Sequence, residues 1–134
     1  MPTQKAKFSI GDIVKHKHFE FRGVIYDVDF EFNNSEEWYQ SIPKNVRPRK
    51  DQPFYHLLAE NDEITYEAYV SEQNLLNDDS DEPIKHPLIE EIFSGKKGSS
   101  YFKLSNWKNH FFNTFSPKLR HSNLLNLYYS GQGC

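Results

Sequence analysis

From Val24 to Phe32 the apolar residues Val24, Tyr26, Val28, Phe30 and Phe32 recur at every second position, with Asp27, Asp29 and Glu31 between the later ones. Period two is the spacing of a β-strand with one buried face. Just before Gly23, Phe19 and Phe21 hold the opposite parity. One extra residue in a strand swaps its faces, so the spacing predicts a β-bulge or sharp bend near Arg22-Gly23. Such a strand needs partners before it is stable. Ile13 to His18 supplies one candidate, entered through a tight turn at Gly11-Asp12. Phe54 to Glu60 and Ile64 to Val70 supply two more, separated by Asn61-Asp62, and read as a hairpin. Phe54 to Glu60 is apolar on both parities, which predicts a central strand.

The remaining segments have other chemistry. Ser35 can cap a short helix whose first turn holds Glu36 and Glu37, and Pro43 ends it. Trp38 and Tyr39 then face the sheet. Glu72 to Leu76 reads as a single helical or 3-10 turn, and Asn77 to Glu82 as an acidic loop. A short helix is expected from Pro87, since proline suits the first helical position. Gly95 to Ser100 reads as a flexible turn, and Tyr101 to Leu104 as a last strand or extended arm. Short strands with turns between them predict a mainly-β fold: a small SH3-like barrel, or a strongly bent antiparallel sheet, of about five strands with one or two short helices. Its 134 residues suit one domain. We expect that domain at 8–104, followed by a basic, aromatic tail at 105–134.

Charge and composition narrow the function. The acidic residues all lie before position 92, where they outnumber the basic ones 19 to 10. The tail end is basic, with six lysines and arginines after position 91 and no acid. An acidic body repels phosphate at long range, which weighs against nucleic-acid binding by the body. No run of about 18 apolar residues is present, so no membrane span is expected. Met1 to Lys7 carries no signal-peptide pattern. The single cysteine, Cys134, allows no internal disulfide and no thiolate zinc site. These absences predict a cytoplasmic protein.

No nucleophile elbow, phosphate-binding glycine loop or HExxH helix occurs, so no catalytic residue is assigned and no cofactor is expected. His16 and His18 stand two apart, a spacing zinc or nickel can use, but no third ligand is near in sequence, and both read as strand histidines. His56 lies among aromatics and reads as a core histidine with one ring nitrogen on a carbonyl. Asp27, Asp29 and Glu31 share a face and read as the solvated side of a strand rather than a cation ladder. No metal site is therefore assigned. Lys44, Arg47, Arg49 and Lys50 put four cations in seven residues. They are the candidate DNA contacts, set against a simpler reading as a solvated loop that offsets the acidic body. No aromatic interleaves them in sequence. Trp38, Tyr39, Lys96 and Lys97 are the candidate partner contacts. The tail aromatics follow no sustained period. A disordered arm, a docking segment for an acidic partner and an appended unselected sequence all stay open for it.

Several segments in fixed order resemble one family. They are Phe8 to His16, Arg22 to Asp29, Trp38-Tyr39, Gln52 to Asn61, Tyr66 to Leu75, Ile84 to Pro87 and Tyr101-Phe102. Together they resemble the heat-shock protein HspQ family, whose domain is also called the hemimethylated-DNA-binding, or YccV-like, domain. The resemblance implies a small non-enzymatic β-barrel. It implies a heat-shock accessory role in degradation of selected or denatured proteins, including the replication initiator, by the ATP-dependent Lon-type protease. The expected partners are that protease and its substrates. DNA is the alternative partner, and self-association is left open. The domain also occurs fused to other modules in eukaryotes. The family offers no agreed catalytic residues to carry over, and the likeness stops near Leu104, where family chains usually end.

Overall fold

The computed structural model describes residues 5–103; the tail at 105–134 lies outside the described residues. The described residues form seven strands: β1 Ile13–His16, β2 Arg22–Asp29, β3 Phe54–Glu60, β4 Thr65–Ser71, β5 Leu75–Asn77, β6 Phe93–Lys97 and β7 Ser100–Lys103. Two short helices join them, α1 Glu36–Ser41 and α2 Ile89–Ile92. The first five strands form one antiparallel sheet in the order β4-β3-β2-β1-β5, and β6-β7 form a separate ribbon. The fold is mainly β, as the alternation predicts. A closed barrel is not formed among the described residues: the sheet ends at β4 on one side and β5 on the other.

Strand β3 is interior, between β4 and the central β2, and every residue from Phe54 to Ala59 is buried. Neighbouring side chains along it enter different clusters. Leu57 packs with Phe8, Val14, Ile25 and Tyr55 on one side. Leu58 packs with Ile13, Val24, Tyr26, Ile92 and Phe93 on the other. A sheet covered on both faces needs apolar residues at both parities, which is what Phe54 to Ala59 supplies. At the hairpin between β3 and β4, the Asn61 side chain accepts from the Glu63 and Ile64 amides at 2.8 Å each. That side-chain turn is why asparagine suits this position.

The bulge lies elsewhere than predicted. Gly23 stays in regular register with Val14 on β1 and Ala59 on β3. The register slips instead between Ile25 and Asp27, leaving Tyr26 as the extra residue. Gly23 has a different reason: a Cβ there would stand 2.7 Å from the Leu58 carbonyl oxygen. The glycine allows close strand approach. The alternation also overruns the strand, since β2 ends at Asp29 and Phe30 is exposed.

Three smaller expectations are corrected. Gly95 to Ser100 is not a flexible turn: it lies mostly within the β6-β7 ribbon, which reverses between Lys97 and Ser100. The helix expected from Pro87 begins at Ile89. The turn expected over Glu72 to Leu76 is a 3-10 turn at Glu72–Asn74 only, and Leu75 opens β5.

Two joints hold the parts together. Gly11, at φ 99°, lets the chain turn so that its amide donates to the Ile25 carbonyl at 2.7 Å and its carbonyl accepts from the Tyr101 amide at 2.8 Å. The Ser100 hydroxyl donates to Asp12 at 2.9 Å. This joint ties the ribbon to the sheet. At the other joint, Arg22 donates to Asp78 at 2.6 Å, Glu60 at 3.1 Å, and the Glu82 and Pro83 carbonyls at 2.6 and 3.1 Å. That clamp folds the acidic loop against the end of the sheet.

Candidate functional site

Ser35 caps α1, its hydroxyl accepting from the Trp38 amide at 3.0 Å. The cap sets the helix so that Trp38 is buried against Ile42, Phe54 and Tyr69, while Tyr39 is half-buried. The basic loop then folds back on α1. The Arg47 guanidinium donates to the Ile42 carbonyl at 2.7 Å and to the Gln40 carbonyl at 3.0 Å. Lys50 pairs with Glu36, and Arg49 pairs with Asp51 at 2.8 Å. Lys50 Nζ stands 4.5 Å from the Tyr39 ring centre, and the Arg47 guanidinium stands 5.4 Å from it. An aromatic thus does lie among these cations, although none interleaves them in sequence. The structure brings Tyr39, Arg47 and Lys50 together, whereas Trp38, also a candidate partner contact, is turned into the core at 4% exposure. Three of the four loop cations are engaged within the chain, Arg49 and Lys50 by ion pairs and Arg47 by carbonyls, leaving exposed Lys44 as the one with neither among the described residues.

Lys96 and Lys97 do not join that face. They sit on the ribbon, whose Phe93 and Tyr101 enter the second core cluster with Leu58. Lys96 donates to the Asp81 carbonyl at 2.9 Å, and Lys97 is exposed.

The sequence misses a second surface. Strand β5 pairs with β1 through Leu75, Leu76 and Asn77, and no strand covers its outer side among the described residues. Beside it runs an open groove of about 550 Å³ that Phe19 and Leu76 line together with Lys15, Lys17 and the carboxylates Glu20, Glu60, Asp62 and Asp78. Phe19 and Leu76 are each 41% exposed, a large apolar exposure next to the β5 edge. The only sequence signal was the Leu75-Leu76 pair.

His16 and His18 border this groove, their ring centres 5.9 Å apart. His16 is nearly buried, and its Nδ1 accepts from the His18 and Phe19 amides at 3.0 and 3.2 Å. That nitrogen organises the turn out of β1 and is not presented to a metal. Burial, with a smaller contribution from His18, lowers the His16 pKa to about 4. Burial likewise holds His86 at about 4, against weaker opposing effects of the Tyr66 backbone and Glu60. Between about 4 and the ordinary 6.5 the unfolded chain binds protons that the folded chain refuses. Stability therefore falls as pH drops through that window, on the order of 1 kcal/mol per pH unit for each proton fully taken up. Urea titrations from pH 7 to 4.5 should show the decline, and a flat profile would contradict it.

Asp27 and Asp29 are not the solvated side of a strand. Asp27 is buried, Asp29 is half-buried, and only Glu31 of the three is exposed. His56 is buried too, and its partner is a carboxylate rather than the expected carbonyl: Nε2 lies 2.9 Å from Asp29 Oδ2. The reading failed because α1 and its aromatics cover this end of the sheet, which a strand's own pattern does not record.

Comparison with known proteins places the chain. The model of the family described as hemimethylated DNA-binding protein YccV like matches residues 6–100. The chain belongs to the YccV-like family. Curated relatives of this YccV-like chain include F-box only protein 21 of Homo sapiens and of Pongo abelii, each 33% identical over 95 residues. The Mus musculus protein of that name is 32% identical over the same length. These alignments cover 70% of this chain and 15% of each relative, so the YccV-like domain corresponds to a small part of those proteins. No solved structure matches the chain significantly. Among the described residues no helix is long and apolar enough to cross a membrane.

Proposed function

We propose that this YccV-like chain is a non-enzymatic protein-binding module that alters how an ATP-dependent Lon-type protease degrades selected or denatured substrates. One observation carries the reading: the β5 edge, which no strand covers among the described residues, beside the groove that exposes Phe19 and Leu76. An extended segment of an unfolded substrate can add as a strand to such an edge. Main-chain hydrogen bonds then give affinity, and side-chain contacts in the groove give selectivity.

The test is the rate at which a Lon-type protease degrades a denatured substrate while the full chain is added. We expect a rate change that saturates near stoichiometry. Replacing Phe19 and Leu76 together by Asp should raise the concentration needed by about tenfold or more, ~1.4 kcal/mol. An unchanged rate over the stoichiometric range sinks the proposal.

The family description favours a second reading, recognition of hemimethylated DNA. Its physical requirement is a set of cations free to displace counterions from phosphate. The engagement of Arg47, Arg49 and Lys50 within the chain counts against it. A mobility shift with hemimethylated and unmethylated duplexes at two salt concentrations decides: binding that prefers the hemimethylated duplex supports this reading, and binding indifferent to methylation does not.

A further inference from the structure

The groove beside β5 joins two exposed apolar side chains, Phe19 and Leu76, to a strand edge that no strand covers among the described residues. Such an edge is a template for an extended segment. The charge around it selects which segment. Arg22 is held by Glu60 and Asp78, which leaves Lys15 and Lys17 against Glu20 and Asp62 in the groove lining. A second hollow, of about 780 Å³, shares the wall of Arg22, Glu60 and Asp62. It adds Glu63, Glu82 and the exposed Ile64 against one further cation, Lys85. Taken together the two hollows hold more carboxylates than cations, as the body does. An extended segment that is aromatic and basic, with no acid of its own, complements them.

We propose that segment 107–120 of this same chain docks along the β5 edge and covers the groove. It carries Trp107, Phe111, Phe112 and Phe115 with Lys108, Lys118 and Arg120, and no acidic residue. Its reach is sufficient. Strand β7 ends at Lys103, and at ~3.3 Å per residue the chain from there to Phe115 spans on the order of 40 Å. A domain of about 100 residues is only ~35 Å across, so every face of it is within reach. Tethering sets an effective concentration in the roughly millimolar range. At equal intrinsic affinity the chain's own segment therefore outcompetes a second copy in dilute solution. Positions 111 and 115 share parity, so a segment added as a strand can turn both phenylalanines toward Phe19 and Leu76. A substrate would then have to displace the segment before it could bind. That competition, unlike the docking, rests on the reading of the groove as a substrate site.

The test uses the full chain. Cys134 is the single cysteine, so Cys134→Ser combined with Ser116→Cys places one nitroxide label within the docking segment. The amide signals of Lys17 to Phe19 and Leu75 to Asn77 should broaden, while those of Lys44 to Lys50 stay sharp. Adding Phe111→Ser and Phe115→Ser should remove most of that broadening. A mixture of isotope-labelled chain without nitroxide and nitroxide-bearing chain without isotope should show none. Broadening in the mixture means docking between copies and overturns the proposal, as does broadening spread evenly or centred on Lys44 to Lys50. In the protease assay, the Phe111→Ser, Phe115→Ser chain should act at about tenfold lower concentration than the unaltered chain, the gain expected if the segment holds the groove about nine-tenths of the time. Equal potency of the two chains overturns the competition. A rate that neither chain alters, with the broadening present, removes the substrate reading and leaves the docking standing. Absence of the broadening removes the docking, whatever the protease does.

Discussion

Arg22→Met lowers the unfolding free energy by about 3 kcal/mol in urea titrations at neutral pH. The guanidinium is the common donor to Asp78, Glu60 and two carbonyls of the acidic loop, and these carboxylates are only 7% and 16% exposed at their side chains. Methionine fills similar space but leaves two carboxylates close together without their cation. Burial opposes the Asp78 charge, yet hydrogen bonds from Ser80 and Arg22 outweigh it and hold the carboxyl at about 2. The sign follows: with a folded pKa below the unfolded value, Asp78 adds stability above pH 3.8 that disappears as pH falls toward 2. The variant should therefore lose most at neutral pH and least near pH 2. An equal loss at both ends would mean that packing, not charge, is what Arg22 contributes.

Gly11→Ala costs about 3 kcal/mol or more, and the cost is local in origin. Gly11 sits at φ 99°, where an L side chain is strained by ~1–3 kcal/mol. An added Cβ would also meet the Tyr101 carbonyl oxygen at 2.3 Å. That oxygen is backbone and cannot rotate away, so the ribbon must shift. The shift weakens the Tyr101-to-Gly11 hydrogen bond and the Asp12–Ser100 contact together. Hydrogen exchange should rise first at Tyr101 and its neighbours on β7, before the β2-β3 pair. Gly98→Ala is the contrasting case: its φ of 62° carries strain, but no atom lies within 4 Å of an added Cβ. It should cost less than Gly11→Ala.

These two residues also show where sequence reasoning reaches. The turn at Gly11 and the strands flanking it are readable because glycine and period-two spacing are local signals. The interior place of β3 is readable because a strand buried on both faces must be apolar at both parities. Strand β5 is not, since three residues are too few for a period and a 3-10 turn runs straight into it. The bulge was misplaced because Gly23 answers a close approach by Leu58, a contact across strands. Asp27 and Asp29 alternate as solvated residues do, yet α1 packs over that end of the sheet. The partners of the basic loop are equally non-local: Lys50 reaches Glu36, 14 positions earlier. The loop was therefore legible as a cationic run, and its engagement was not.

Whether the β5 edge or the basic loop meets the partner is decided most directly by amide chemical-shift mapping on the labelled full chain. One titration uses a denatured substrate of a Lon-type protease and the other a hemimethylated duplex. With the denatured substrate, we expect the shifts to centre on Lys15 to Phe19 and Leu75 to Asn77, and the duplex should leave Lys44 to Lys50 unmoved at physiological salt. Shifts confined to Lys44 to Lys50 on adding duplex, with the β5 edge silent toward substrate, would contradict it.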